Sequence, residues 1–269
     1  SGVPSIGTIK FSDFYGKSSA GWEFVNSFTL SDFTDNYMSM VKDGNYIYIA
    51  AGDYIDIFNI SNPEFIYKVG SERTSFSSQY SLIKVGNYMY SSLFTGTLSI
   101  VDVSNPSNPQ EVGYLDDPPS FSPLIVNSLM YRNNKIYQVD SRGGELSVIN
   151  VSNKTSPVFE KQIDIGLSGD YYSSNYNGNI GYILKSVFNG SGTLYYFNLD
   201  TEQLLGSSTA TAYGPSSIRP ASVHIYNNRI FAGKSVFSSS IPPTKYSDLP
   251  IDQDVPFSLA FDSPYMDYD

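Results

Sequence analysis

A pattern of Ser-x5-Asn-x2-(Tyr or Phe) recurs five times along the 269-residue chain. The copies are Ser39/Asn45/Tyr48, Ser81/Asn87/Tyr90, Ser128/Asn134/Tyr137, Ser173/Asn179/Tyr182 and Ser222/Asn228/Phe231. Successive Asn residues stand 42, 47, 45 and 49 positions apart, close to the ~40–45-residue interval of four-stranded sheets stacked around an axis. A unit repeated at this interval cannot bury its apolar faces alone, so it must pack on its neighbours. The spacing therefore constrains architecture far more than chemistry.

Within each copy the first strand runs up to a tight turn, at Asp43-Gly44-Asn45, Val85-Gly86-Asn87, Asn133-Asn134, Asn177-Gly178-Asn179 and Asn227-Asn228. Gly and Asn tolerate the positive φ that two-residue hairpins require. A second strand follows with alternating aromatic residues, as in Tyr46-Ile47-Tyr48-Ile49. The third strand reads Ile55-Asp56-Ile57-Phe58-Asn59-Ile60-Ser61-Asn62-Pro63 in the first copy. The second reads Leu98-Ser99-Ile100-Val101-Asp102-Val103-Ser104-Asn105-Pro106, and the third Leu146-Ser147-Val148-Ile149-Asn150-Val151-Ser152. Pro63 and Pro106 end their strands by removing a ladder donor. After the Asn or Asp at 59, 102, 150 and 198 come an apolar residue and then a Ser or Asp that can start an Asx or Ser turn.

These third strands resemble the LVIVD-repeat family, whose units read roughly Leu-x-Ile-Val-Asp-Val-Ser-x-Pro. Leu98–Pro106 matches best, Leu194–Asp200 more loosely, and Phe257–Pro264 is a degenerate fifth copy. The resemblance implies a β-propeller, commonly in a surface or secreted setting. It brings no catalytic residues.

Together the repeats predict an all-β chain forming a single five-bladed β-propeller. Its blades span about 36–78, 79–121, 122–169, 170–214 and 215–264, with a long insertion at 234–256. The last copy runs out of chain after Pro264, whereas Glu23–Leu30 reads as a strand without a sheet. The expected closure is thus an N-terminal outer strand within 21–35 pairing with the last blade, which would remove an exposed edge. Residues 1–20 form an extension ahead of it.

Composition then narrows the partners. The formal net charge of -10 argues against nucleic acid, which needs clustered Lys and Arg. No apolar run reaches the length of a membrane span. The absence of cysteine excludes disulfides and thiol chemistry. A polar surface rich in Tyr, Ser and Asn leans toward an extracellular, cell-surface or virion-surface setting.

The repeated Ser residues read as small hydrogen-bonding groups where inner strands crowd, and the Asn residues as turn formers. Two positions after each Ser stand Val41, Ile83, Met130, Asn175 and His224. Asn175 and His224 break this apolar series together and are candidate binding residues. The only His and the lack of Cys exclude multi-His zinc sites. The insertion supplies Tyr246, Asp248, Asp252 and Asp254, candidates for ligand contact or a calcium ion, although the EF-hand Gly and Glu are lacking. No cofactor is otherwise implied. The reading favoured is a non-enzymatic module binding a protein or glycan through its loops. The alternatives are a carbohydrate-active hydrolase using two acids among Asp53, Asp56, Asp140, Glu145 and Asp170, and a structural subunit of a surface layer or virion.

Overall fold

The computed structural model describes residues 37–248 apart from 76–78, 94–95, 117–125, 141–144, 167–170, 187–190, 212–222, 227 and 233–234. Alternating aromatic and aliphatic segments separated by Gly and Asn turns form four-stranded antiparallel meanders, five of them among the described residues. The first sheet holds β1 (Tyr37–Asp43), β2 (Tyr46–Ala51), β3 (Tyr54–Asn59) and β4 (Tyr67–Arg73). The second holds β5 (Gln79–Val85), β6 (Tyr88–Leu93), β7 (Leu98–Asp102) and β8 (Gln110–Leu115). The third comprises β9 (Val126–Arg132), β10 (Lys135–Asp140), β11 (Glu145–Asn150) and β12 (Val158–Asp164). The fourth comprises β13 (Tyr171–Asn177), β14 (Ile180–Ser186), β15 (Ser191–Asn198) and β16 (Gln203–Thr211). The fifth is β17 (Val223–Tyr226), β18 (Arg229–Ala232), β19 (Ser235–Ser238) and β20 (Lys245–Asp248).

The turns between first and second strands use the predicted chemistry. Gly44, Gly86 and Gly178 have φ of +55°, +57° and +60°, while Asn133, Asn134 and Asn228 have +49°, +58° and +57°. The backbone carbonyl of each repeated Asn also accepts a hydrogen bond from just beyond the third strand. The donors are the N–H groups of Ile60, Val103, Val151, Leu199 and Ser239.

Sheets pack face to face in chain order. Tyr48, Ile55 and Ile57 of the first sheet meet Leu82, Met89 and Val101 of the second. Tyr90, Leu98 and Ile100 of the second meet Leu129, Ile136 and Ile149 of the third. Tyr137 and Val148 pack on Ile183 and Phe197, and Tyr182 and Leu194 on Ile230 and Phe237. The first strands β1, β5, β9, β13 and β17 are neighbours in that order.

A first strand has a partner on one side only, so its outward N–H groups need acceptors from elsewhere. The repeated Ser supplies them. Ser39 Oγ accepts from Leu82 N–H at 3.1 Å, and Ser173 Oγ from Val223 N–H at 3.2 Å. The Ser128 hydroxyl accepts from Ser174 N–H at 2.8 Å and donates to Ser174 O at 3.0 Å. In each case the bond links one first strand to the next. Ser81 is buried in the same place, and Ser222 lies outside the described residues.

The tyrosine of the repeat fastens the second strand to the following sheet. Tyr137 donates to Leu199 O at 2.8 Å, and Tyr182 to Ser239 O at 3.4 Å. Burial pushes the Tyr137 phenol up to about 12, with the nearby Glu202 carboxylate adding to the shift.

All five outer strands carry a β-bulge at the same place. The register skips Val69, Val112, Glu160, Leu205 and Tyr246, which twists each outer edge and spoils it as a template for further pairing. Next to two of these bulges lie Gly70 and Gly113. A Cβ on Gly70 would stand 2.2 Å from Pro106 O, and one on Gly113 2.2 Å from Lys154 O. The Ser-Asn turn of one sheet is thereby seated on the outer strand of the sheet before it.

The fifth sheet departs from expectation. The segment expected to be a long insertion, 234–256, supplies both its third and fourth strands, β19 and β20. The outer position expected for an N-terminal strand is therefore held by β20. The reason is local: Ser235–Ser238 is too short and too serine-rich to show the Leu-x-Ile-Val-Asp signature, yet it carries the Asn228–Ser239 bond and the outer-strand bulge. Residues 1–20, the proposed closing strand at 21–35, and Phe257–Pro264 lie outside the described residues.

Two substitutions test this packing in denaturant melts. Ser128→Ala leaves a buried N–H without its acceptor and is expected to destabilise by about 1–3 kcal/mol. Gly113→Ala forces a methyl against backbone and is expected to cost about 1–3 kcal/mol. A Gly113→Ala protein as stable as the parent would show that the turn is not seated on β8.

Candidate functional site

Asn175 and His224 stand on adjacent first strands, β13 and β17. The Asn175 amide is already engaged: Nδ2 donates to Val223 O at 3.3 Å, while Oδ1 accepts from Tyr176 N–H at 2.8 Å. With Ser173 it clasps both backbone groups of Val223, as Ser128 alone does for Ser174. His224 follows Val223 and points to the opposite face. Its side chain is exposed, yet burial by surrounding protein holds the imidazole below its ordinary range.

Tyr246, at the bulge of β20, is 61% exposed, with the Arg229 guanidinium 5.8 Å from its ring centroid. Asp248 ends β20 opposite Ser235. Asp252 and Asp254 lie outside the described residues. Among the described residues no group of three or more His, Asp or Glu is placed to hold a metal ion.

The carboxylates considered for hydrolysis are dispersed. Asp53 pairs with Arg73 at 3.4 Å. Asp56, with no exposed surface, receives Lys68 Nζ at 2.7 Å and Ser71 Oγ at 2.5 Å on one oxygen. Both sit on the first sheet, whereas Asp140 ends β10 and Glu145 opens β11 on the third. Asp170 lies outside the described residues. The repeat's own Asx positions make turns: the Oδ1 atoms of Asn59, Asp102, Asn150 and Asn198 accept from N–H of Ser61, Ser104, Ser152 and Asp200 at 2.8–2.9 Å.

Sequence reasoning missed an ionic clamp between the third and fourth sheets. Arg132 grips Asp200 through two bonds of 2.7 and 2.9 Å, and Asn133 Nδ2 adds a third at 2.8 Å. Lys135 bridges Glu160 and Glu202, both at 2.9 Å, and Lys161 also reaches Glu202. The hydrogen bond from Lys135 holds Glu160 below the ordinary carboxylate range, and that from Arg132 does the same for Asp200. For Glu202 burial works the other way, but the bonds from Lys161 and Lys135 outweigh it. The signal for this clamp was slight, because Arg132, Asn133 and Lys135 lie 67–68 residues from their partners Asp200 and Glu202 and in no shared motif.

Beside the clamp, the turns of the third and fourth sheets frame an open depression of about 380 Å³, lined by Tyr131, Arg132, Asn133, Asn134, Tyr176 and Gly178. Another, of about 450 Å³, lies where Tyr114 and Glu111 of β8 meet Thr155–Pro157.

Two measurements follow. Lowered folded-state pKa values mean that the clamp's contribution is complete above the ordinary values of 3.8 and 4.5 and fades as pH falls through the lower folded ones. The melting temperature should therefore fall on acidification below about pH 4.5 less steeply in Glu202→Gln than in the parent; equal slopes would remove the clamp from the account. Asp102→Asn should leave stability within about 0.5 kcal/mol, since Asn holds the same turn at 59, 150 and 198, whereas Asp102→Ala should cost about 1 kcal/mol.

Comparisons with known proteins bear on the fold. Hydrazine synthase from Kuenenia stuttgartiensis aligns with TM-score 0.56 at 11% identity, over 81% of this chain and 59% of that one. The computationally designed Ika4 protein aligns with TM-score 0.48 at 15% identity, over 66% of this chain and 99% of that one. BamB from Moraxella catarrhalis aligns with TM-score 0.47 at 10% identity, over 80% and 62%. At these identities the hydrazine synthase likeness bears on fold alone. No curated protein matches the chain. Residues 38–71, 81–117 and 137–165 match the LVIVD repeat, one segment in each of the first three sheets.

Proposed function

We propose that the five sheets close into a five-bladed propeller that acts outside the cell, or on a cell or virion surface, as a non-enzymatic module binding a protein or glycan. The ring is supported by burial at its seam. Ile49, Ala51, Asp56 and Phe58, on the face of the first sheet turned away from the second, are all buried, as is Val236 on the corresponding face of the fifth. Among the described residues no helix is long and apolar enough to cross a membrane.

The observation that carries the binding role is the depression between the third and fourth sheets. Half-buried Tyr131 and Tyr176 supply broad contact area at small entropic cost, and beside them stand the exposed amides of Asn133 and Asn134, held by bonds to Asp200 and Tyr131 that leave part of each amide for a ligand. Those amides are presented from a two-residue turn with positive φ at Asn133 and Asn134 and are tied to Asp200 and Tyr131, which lowers the ordering needed on binding. A hydrolase reading draws less support, because Asp53, Asp56, Glu160, Asp200 and Glu202 are each engaged by a cation.

Glycan and protein arrays probed with the whole chain test this reading. A binder should be found whose affinity falls at least tenfold in Asn134→Gly and in Tyr176→Ser, with melting of Asn134→Gly near that of the parent because Gly keeps the turn. Hydrolysis of a glycoside, abolished by changing one acid, would overturn it.

A further inference from the structure

The third-strand residue two places before the bulge-flanking Phe58, Val101, Ile149 and Phe237 is buried and polar in four sheets: Asp56, Ser99, Ser147 and Ser235 are all without exposed surface. Each belongs to the face turned toward the preceding sheet. In the first two sheets the outer strand, across the bulge, supplies its partner. Lys68 reaches Asp56 at 2.7 Å, and Ser99 donates to Glu111 Oε1 at 2.6 Å. Lys68 and Glu111 hold the same register position, opposite Phe58 and Val101. In the third sheet that position, opposite Ile149, is Phe159. Ser147 Oγ has no protein partner, and neither have both amide atoms of Gln138, its cross-strand neighbour on β10.

The opposing face adds a further group. Ser39 Oγ meets Leu82 N–H across the first gap, so the row Ser39–Ala50–Ile55 lies level with Leu82–Ser91–Ser99. By the same register, the row Ser81–Ser92–Leu98 lies level with Leu129–Gln138–Ser147. Ser92 therefore faces Gln138 across the second gap, and its hydroxyl is also buried without a partner. Around these side chains pack Leu98, Ile100, Leu129, Ile136 and Ile149.

We propose that the slot between the second and third sheets is an internal hydration site in which water bridges Ser92, Gln138 and Ser147. A carboxamide has two donor hydrogens and two acceptor lone pairs; one neighbouring hydroxyl leaves most of that capacity unmet, and buried polar groups in folded proteins are rarely left so. Water, with two donors and two acceptors, fits a site offering several convergent polar groups. Ser81, the inner-strand partner of Ser92, marks the polar side by which such water exchanges with the axis.

A crystal structure at high resolution should show water within hydrogen-bond distance of Gln138 and Ser147. Magnetic relaxation dispersion should count at least one fewer long-lived water in Gln138→Leu/Ser147→Ala than in the parent. Ser147→Ala alone serves if the double variant fails to fold, and should weaken the same signal. A dry slot, in which the Gln138 amide bonds directly to Ser147 and Ser92, would overturn the proposal, as would identical dispersion in parent and variant.

Discussion

A hydrogen bond across the gap between first strands is the constraint on which this architecture turns. Each sheet ends on one side in a first strand with no further partner in its own sheet, and these first strands neighbour one another in chain order. An unpaired N–H there is shut away from bulk water by the neighbouring sheet, so it must find an acceptor. In three of the copies the repeated serine (Ser39, Ser128 and Ser173) reaches forward to the next first strand and meets that need. Ser is short enough for strands to approach, and its hydroxyl can accept and donate at once, as Ser128 does with Ser174. A longer polar side chain would hold the strands apart, and an apolar one would leave the edge unsatisfied.

The remaining repeated features act outward from that line. The buried Tyr fastens the second strand to the next sheet's third strand through its hydroxyl, placing its ring in the gap and its polar end on a carbonyl. The Asx turn ends the third strand, and the turn after it rests on a glycine of the preceding outer strand. The second and third sheets are thus tied to the one before at the outer strand, and the first, third and fourth to the one after by the serine bond. Such coupling lets individual sheets diverge, because no sheet depends on a single contact.

This explains what the sequence disclosed. The Ser, Asn and Tyr positions were legible because each meets a backbone requirement that recurs at fixed intervals. The third strands of the first three copies were legible because Leu, Ile and Val point into successive gaps at period two. The fifth sheet was not. Ser235-Val236-Phe237-Ser238 keeps the strand's hydrogen bonds with a four-residue segment, and backbone bonds leave no mark on side-chain choice. Phe257–Pro264, with the better signature, drew the assignment away from it. The candidate site was legible only in part. Asn175 stood out in the pattern, but its work is to hold Val223, a role Ser alone fills elsewhere. The clamp at Asp200 and Glu202 escaped notice because charged pairs between sheets have no period.

The variable residue inside the third-strand motif shows how a repeat admits difference. It looks unconstrained in sequence, being Asp, Ser, Ser and Tyr in the first four copies, yet in the structure three of these are fully buried. Burial of a polar group is tolerable only with a partner, and the outer strand provides one by changing in step: Lys68 for Asp56, Glu111 for Ser99. The charge on the outer strand reverses with the chemistry at the buried position, so the pair and not either residue is what the fold requires. In the third sheet Phe159 occupies the partner's place, and the outer strand's charge moves one residue on to the bulge, where Glu160 joins Lys135 and the fourth sheet. Ser147 is thus left without an outer-strand partner, while the carboxylate one residue on, Glu160, holds the Lys135 that reaches Glu202 of the fourth sheet.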